Sequence, residues 1–424
     1  MINPRKMAVS ILMRIEKDNA YSNITLSSFF KDTEITSEEK AFVAALVYGV
    51  LDRKITLDYV LSNFLKTPIK KTAPFTLNVL RTALYQIMYM DKIPESAAVN
   101  EAVKLIKKSK ESRNQGFVNA ILRSVLRSGD LIPQDNSENS LSIRYSTPLW
   151  IVKSFLNDYG IDDTVALLEE SLKVAPFTLR VNTLKTDKSA LADSFLRLGI
   201  NTVDGIINDS IILEKGIDVL KNDAFKKGYF HVEDLASQIA VSRLCLKPYD
   251  RVLDICAAPG GKTFTMAEIM ENKGEIIACD LYEQRVKLIS DGAFRLGISI
   301  IKPIVNDALK YNSDIGVFDK VLCDVPCSGL GVIRRKPDIK YKEDSDFSSL
   351  ESIGEQILKN SAKYLKNGGL LLYSTCTLRK NENENQVVKF LKENSTFTLL
   401  EQKTLMPHKD KTDGFYYALL KKEA

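Results

Sequence analysis

The chain has 424 residues, more than one hydrophobic core usually serves, and its 45% hydrophobic content supplies material for two or three domains. Six cysteines, Cys245 to Cys376, without a CxxC pair and with only His231 and His408 beside them, argue against a disulfide framework and against zinc. No apolar run approaches the length of a membrane span and no signal peptide precedes the chain, so a cytoplasmic protein with no membrane partner is expected.

From Pro4 to about Arg127 apolar residues recur at helical spacing: Ala8, Ile11, Leu12, Ile15; then Phe42, Ala45, Leu46; then Val118, Ile121, Leu122, Val125. Breaks fall at Thr67-Pro68 and Ile93-Pro94, which predicts an all-helical domain over 1–130. The net charge of the whole chain is only +5, whereas residues 53–127 hold 14 Lys/Arg against 5 Asp/Glu, or +9. Such a bias is ordinarily a solvated helical face; clustered, it also suits a phosphate backbone. Residues 131–146 are polar and read as a linker. Residues 147–225 mix a helix around Val165–Leu172 with the strand-like Phe177–Asn182, a small α/β connector module.

Between 226 and 424 the rhythm changes. Apolar strands at Val252–Ile255, Glu275–Cys279, Ile300–Val305, Lys320–Cys323 and Leu370–Tyr373 alternate with helical stretches such as Glu283–Leu296, the pattern of a parallel sheet with helices on both faces. Two further runs, Phe397–Leu400 and Phe415–Leu420, are placed to pair as a hairpin. Ligands of such sheets bind beyond the carboxyl ends of the strands.

The first strand runs into Cys256-Ala257-Ala258-Pro259-Gly260-Gly261-Lys262-Thr263, a turn of small residues that opens a helix. Such a turn lets a ligand approach the backbone and meet the amides of a helix N-terminus. It ends like a phosphate-binding loop, but that motif needs Gly where Cys256 stands, and the dinucleotide GxGxxG spacing is absent too. Both the NTPase and the dehydrogenase readings are therefore weakened. Asp280 closes the second strand, where an acid accepts both hydroxyls of a ribose. Asp307, after Asn306, closes the third and suits an adenine amino group; Asp324 closes the fourth. Three acids behind a Gly-rich turn, with no phosphate-binding groups, suit S-adenosylmethionine better than NAD or ATP.

Cys327, in Asp324-Val325-Pro326-Cys327-Ser328-Gly329, and Cys376, in Tyr373-Ser374-Thr375-Cys376-Thr377, follow the fourth and fifth strands. One free thiol at a strand end is more often an inert small hydrophobe. Two of them beside an acid are the equipment for covalent attack on an electron-poor ring carbon. Cytosine C5 becomes nucleophilic once a thiolate adds at C6, an acid such as Asp324 serves N3, and a base later removes the C5 proton. Spacing leaves open which thiol attacks. Between the two, the basic run Arg334-Arg335-Lys336-Pro337-Asp338-Ile339-Lys340-Tyr341-Lys342 is read as gripping substrate phosphates through Arg334, Arg335, Lys336 and Lys340.

The VLDICAAPGGKT run from Val252, the DVPCSGLG run from Asp324 and the YSTCTL run from Tyr373, followed by Asn383-Glu384, resemble the RNA cytosine-C5 methyltransferases of the NOL1/NOP2/Sun group. Tyr48-Gly49-Val50, Leu80-Arg81 with Tyr85-Gln86, Asn100-Glu101-Ala102-Val103 and Phe117-Val118-Asn119-Ala120-Ile121-Leu122-Arg123 look like a NusB-type RNA-binding domain, and Asp413-Gly414-Phe415-Tyr416 also fits. The resemblance implies an all-α N-terminal domain, a small α/β RNA-binding connector and a Rossmann-like class I S-adenosylmethionine-dependent methyltransferase domain. It implies methylation of C5 of a cytosine in 16S ribosomal RNA by a monomer, with Cys376 as nucleophile, Cys327 in product release and Asp324 at N3. Cys256, Ala257, Ala258, Pro259, Gly260, Gly261, Lys262, Asp280, Asp307 and Asp324 are implied at the cofactor. Val325 and Thr377 stand where the group often has Ala and Ser, and Glu233, in His231-Val232-Glu233-Asp234, where Gln is common. The competing expectations are another RNA substrate, such as transfer RNA, and a non-catalytic RNA-binding or ribosome-assembly factor.

Overall fold

The helical periodicity of the first 130 residues becomes six helices: α1 (Pro4–Asp18), α2 (Ser22–Lys31), α3 (Ser37–Ser62), α4 (Pro74–Tyr89), α5 (Glu95–Lys107) and α6 (Gln115–Arg127). The structure, a computed structural model, describes residues 3–18, 20–31 and 33–423. Local chemistry sets the helix starts. Thr36 and Glu39 exchange hydrogen bonds as a capping box before α3, Pro74 opens α4, and Pro94 immediately precedes α5. Leu12, Leu46, Val50, Leu80, Leu84, Ile106 and Leu122 meet in one apolar core. Arg81 is withdrawn from the basic face: it is buried, with Nε and Nη2 at 2.6 and 2.8 Å from the Asp58 carboxylate and Nη1 at 2.7 Å from Glu16.

Gly49, midway along α3, lets α4 approach closely, since a β-carbon there would stand 1.9 Å from the Tyr85 ring. Gly49→Ala is expected to cost roughly 1–3 kcal/mol of stability by overpacking. Urea unfolding followed by circular dichroism measures it; a midpoint equal to that of the parent would mean that the ring moves aside freely.

The segment 131–146, expected as a linker, is partly folded. The Ser137 hydroxyl accepts from the Ser140 amide to cap α7 (Glu138–Arg144), and the Thr56 hydroxyl of α3 donates to the Ile143 carbonyl. Short polar residues that resemble a loop in sequence serve here as caps. Helix α8 (Leu149–Glu170), broken at Gly160, follows.

The chain divides into two units, Met1–Leu172 with Lys336–Lys342, and Lys173–Arg335 with Glu343–Ala424. In the first unit, Lys336–Lys342 packs among the helices. The Lys340 ammonium is fully buried and donates to the Asp52 carbonyl at 3.0 Å, the Tyr341 hydroxyl donates to the Leu51 carbonyl, and Asp338 accepts from the Ser22 amide and hydroxyl at 3.1 and 2.7 Å.

The second unit opens with a four-stranded antiparallel sheet, order β2-β3-β1-β4, made of β1 (Phe177–Val181), β2 (Thr202–Asp204), β3 (Ser210–Leu213) and β4 (Phe230–Val232). Helices α9 (Lys188–Leu196) and α10 (Asp223–Lys226) accompany it, and Leu179, Val181, Phe195, Ile211 and Phe230 form its core. A seven-stranded sheet follows, ordered β10-β11-β9-β8-β5-β6-β7: β5 (Arg251–Asp254), β6 (Glu275–Asp280), β7 (Ile301–Val305), β8 (Phe318–Asp324), β9 (Leu365–Thr375), β10 (Phe397–Leu405) and β11 (Phe415–Lys422). Strands β5 to β9 are parallel, and the terminal hairpin makes the sheet mixed, because β11 lies antiparallel between β9 and β10. Alternate residues face opposite sides. Val252, Ala278, Leu322 and Leu372 pack with residues of α11 (Leu235–Ser242), α12 (Gly261–Ile269) and α13 (Glu283–Leu296). Leu253, Ile277, Val321 and Leu371 pack with residues of α14 (Ser348–Lys363) and α15 (Glu384–Glu393), and a short α16 (Pro407–Asp410) precedes β11. From central β5 the chain builds outward on both sides, which leaves the crevice at the carboxyl ends of β5, β6 and β8.

Candidate active site

Strand β5 ends at Asp254, and the small-residue turn carries the chain over the sheet into α12. Gly260 has φ +112° and its α-carbon faces the Phe264 ring, 2.4 Å from where a β-carbon would project, so only glycine fits. The Ala257 amide donates to the Cys279 carbonyl at 2.7 Å, which ties the turn to β6. Asp254 Oδ2 accepts from the Thr263 hydroxyl at 2.7 Å, and burial pushes this carboxyl up to about 7. Asp254 thus secures the turn from below.

Beside the turn lies a cavity of 460 Å³ lined by Cys256, Ala258, Asp280, Tyr282, Asp307 and Asp324, among others. Asp280 is buried, accepts from the Tyr282 amide at 3.4 Å and lies 3.4 Å from Arg285 Nη1. The other guanidinium nitrogen of Arg285 donates to the Ala258 carbonyl at 2.9 Å, so one side chain joins this acid to the turn. Asp307 is half-buried and accepts from the Leu309 amide. The donor set fits a nucleoside bearing an amino acid: two acids on successive strand ends, a turn of small residues, and a guanidinium, Arg285, already engaged by Asp280 and the Ala258 carbonyl. A second hollow of 220 Å³, lined by Glu233, Asp234, Asp254, Gly261 and Lys262, shares Cys256, Ala258 and Asp324 with the first.

The two thiols meet here: Cys327 Sγ and Cys376 Sγ are 3.3 Å apart. Their turns are latched together by a 2.7 Å bond between the Ser328 and Thr377 hydroxyls, by the Ser328 amide on Glu382, and by Asn383, which donates to the Thr377 carbonyl at 3.0 Å. The hydrogen bond to Cys376, reinforced by burial, raises Cys327 well above the ordinary thiol value. Lys262 Nζ donates to Asp324 Oδ2 at 2.8 Å, and the Ser374 hydroxyl donates to Asp324 Oδ1 at 2.6 Å. Burial alone would lower the Lys262 ammonium; Asp324 first, then Glu233 and Cys376, outweigh it and keep it charged. A cation, an acid and two thiols therefore converge at the ends of β8 and β9.

The basic run is placed otherwise than expected. The Arg334 side chain is buried, with Nε on Asp413 at 2.8 Å and Nη2 on the Thr412 carbonyl. Arg335 is bound to Asp413, to Asp234 at 3.0 Å and to the Pro176 carbonyl. Lys340 is buried in the helical unit. Of the four, only Lys336 is exposed, so the phosphate-gripping expectation is revised for Arg334, Arg335 and Lys340. Sequence reports charge, whereas the partners Asp413, Asp234 and Asp52 lie far along the chain.

Sequence reasoning also passed over Asp254, although it stands at a strand end like the other acids, and Ser374, Glu382 and the group around His231. That imidazole is fully buried, with Nδ1 3.4 Å from Glu268 Oε1 and Nε2 3.5 Å from Glu233 Oε2. Burial opposes its charge, but the two carboxylates raise it to about 9. A folded value above the unfolded one stabilises the protein fully below pH ~6.5, and that stability fades as pH rises through 9; it amounts to on the order of 3 kcal/mol. The melting-temperature advantage of the parent over His231→Gln is expected to shrink between pH 6.5 and 9.5, and a constant difference would contradict it.

A family model described as 16S rRNA methyltransferase RsmB/F matches residues 241–421, a NusB family model matches 2–127, and a ferredoxin-like domain model of RsmF/B-like methyltransferases matches 147–220. The chain is 36% identical to "Probable ribosomal RNA small subunit methyltransferase B" of Bacillus subtilis (strain 168), over 99% of this chain and 98% of that one. It is 31% identical to the protein of the same name from Synechocystis sp., over 100% of both chains. Among solved structures it is similar to PH0851, with a TM-score of 0.83 at 26% identity over 100% of this chain and 99% of that one. NSun6 from Pyrococcus horikoshii with SFG shares the fold, with a TM-score of 0.60 at 22% identity over 65% of this chain and 98% of that one.

Proposed function

Since this chain belongs to the family of small-subunit ribosomal RNA methyltransferases B, we propose that it methylates C5 of a cytosine in 16S ribosomal RNA by way of a covalent adduct between Cys376 and cytosine C6. The observation that carries this reading is the 3.3 Å thiol pair set beside the Lys262–Asp324 ion pair. S-adenosylmethionine, when bound, supplies an electrophilic methyl group; Asp280 and Asp307 would hold its ribose and adenine, and Cys256–Lys262 would pass along it. The helical unit, whose residues 53–127 carry a net +9, is the proposed RNA-binding element. The target base leaves its stack to enter the crevice.

Within the site the steps fall to this chain's residues. The Cys376 sulfur adds to C6, and electron density moves to N3, where Asp324 engages the ring and Lys262, hydrogen-bonded to it, is the source of the proton. C5 is then nucleophilic and takes the methyl group. To restore the ring, the C5 proton must leave as the C6–sulfur bond breaks. Cys327 suits this task for a reason visible in its environment: what raises it is first its bond to Cys376 and then burial and neighbouring charge. Once Cys376 has become a thioether, that bond and the charge of Cys376 are gone; Cys327 passes its own proton to the Lys262 amine that protonated N3, takes the C5 proton as thiolate, and Cys376 leaves C6 as thiolate while the N3 proton is released to solvent.

Bisulfite sequencing of ribosomal RNA from cells with and without the gene tests the whole reading: one cytosine of 16S RNA should lose protection in the deletion strain. Loss of protection in transfer RNA instead would move the substrate, and unchanged RNA together with no S-adenosylmethionine binding by calorimetry would favour an assembly factor.

A further inference from the structure

Under the Gly260–Gly261 turn lies a buried group of charges that the steps above leave unused. Arg180, His231, Glu233 and Glu268 are each almost fully buried. Arg180 and His231 are register partners on β1 and β4. Arg180 Nε is 3.1 Å from Glu268 Oε2, and its Nη2 is 3.8 Å from Asp209. His231 faces Glu233, Glu268 and the Thr265 hydroxyl, with the Phe264 ring edge-on at 5.7 Å. Glu233 Oε2 accepts from the Thr265 hydroxyl, and Glu233 Oε1 lies 3.5 Å from the position of a β-carbon on Gly261. The Glu233 charge also acts on Lys262.

Well-packed apolar side chains of similar volume often stabilise such a place as well as buried charges do, so stability alone is weak ground for four charges there, even though His231 gains from its carboxylates once all are buried. Their geometry offers another reason. Thr265 and Glu268 are successive points on one face of α12, and the first turn of that helix presents Gly261 and Lys262. The small sheet therefore grips, from β1 and from the end of β4, the helix that delivers the active-site cation.

We propose that Glu233, charge-balanced by His231, is a positioning residue for methyl transfer, a role that rests on the methyltransferase reading above: it fixes the first turn of α12 so that Lys262 reaches Asp324 and Cys376 together. Asp324 holds the ammonium directly, and Glu233 holds the Thr265 hydroxyl on the same helix, one turn beyond Gly261. Loss of Glu233 then acts on the chemical step more than on cofactor affinity.

The test uses the full chain. Glu233→Leu leaves His231 partly uncompensated, so the double variant Glu233→Leu/His231→Leu, which removes one negative and one positive charge together, is made beside it. Glu233→Gln keeps an acceptor for Thr265. Thermal melts report folding, calorimetry reports S-adenosylmethionine affinity, and single-turnover transfer to 16S RNA reports the rate. In both Leu variants the rate is expected to fall about 100-fold, as for a reacting group displaced by about 1 Å, with cofactor Kd changed less than about threefold and most of the rate restored in Glu233→Gln. A folded double variant with the parental rate overturns the assignment, as does a Glu233→Gln variant as slow as Glu233→Leu. A parent protein that binds no S-adenosylmethionine overturns the methyltransferase reading, and this role with it.

Discussion

Cys327→Ala is expected to carry out methyl transfer once and then stop, with one RNA held covalently on each protein molecule. Attack and transfer need the Cys376 sulfur, the Lys262–Asp324 pair and the cofactor, all of which this variant retains. In the proposed mechanism release needs a base for the C5 proton, and Cys327, 3.3 Å from the Cys376 sulfur, is the group proposed to supply it. Removal of a general base slows its step by roughly 10²–10⁴-fold, so the adduct should outlive the assay. On a denaturing gel the protein should run as a slower band that needs both S-adenosylmethionine and RNA and that ribonuclease collapses. Multiple turnovers at near the parental rate, with no slower band, would remove Cys327 from the release step.

Cys376→Ala should abolish transfer altogether. A nucleophile replaced by a methyl group leaves no route to an activated C5, and losses of roughly 10⁴-fold or more are the scale for such deletions. Cofactor binding should survive, because Cys376 does not line the cavity formed by Asp280 and Asp307. Calorimetry with S-adenosylmethionine separates the two effects. Combined with Cys327→Ala, the substitution should also erase the slower gel band. If Cys376→Ala gave the trapped band and Cys327→Ala the inactive protein, the roles of the two thiols would be exchanged.

How far the site could be read from the sequence depended on the range of the interactions. Strand ends are local features, and the alternation of strands and helices was enough to bring Asp280, Asp307, Asp324, Cys327 and Cys376 to one rim of the sheet. The hairpin of the last two strands was also legible, but not that β11 would insert between β9 and β10, which depends on pairing with β9 some 45 residues earlier. Which thiol attacks came only from resemblance, since both occupy equivalent strand ends. Buried ion pairs were least visible. Arg334 and Arg335 read as an RNA grip because Asp413 lies nearly 80 residues away. His231 gave no sign that Glu268 would stand 3.4 Å from its ring.

The seven residues Lys336–Lys342 also bear on how the protein is made. They belong with a helical unit whose remaining residues end at Leu172, so roughly 170 more residues must be synthesised before that unit can be completed. At ~5–20 residues per second, the nascent helices wait roughly ten to thirty seconds with the places of Lys340 and Tyr341 vacant. During that interval the Leu51 and Asp52 carbonyls lack their later donors, and Ser22 lacks Asp338. The helices therefore reach their final packing only after more than half of the catalytic domain has been translated, and a fragment cut after residue 172 would be held permanently at that earlier stage.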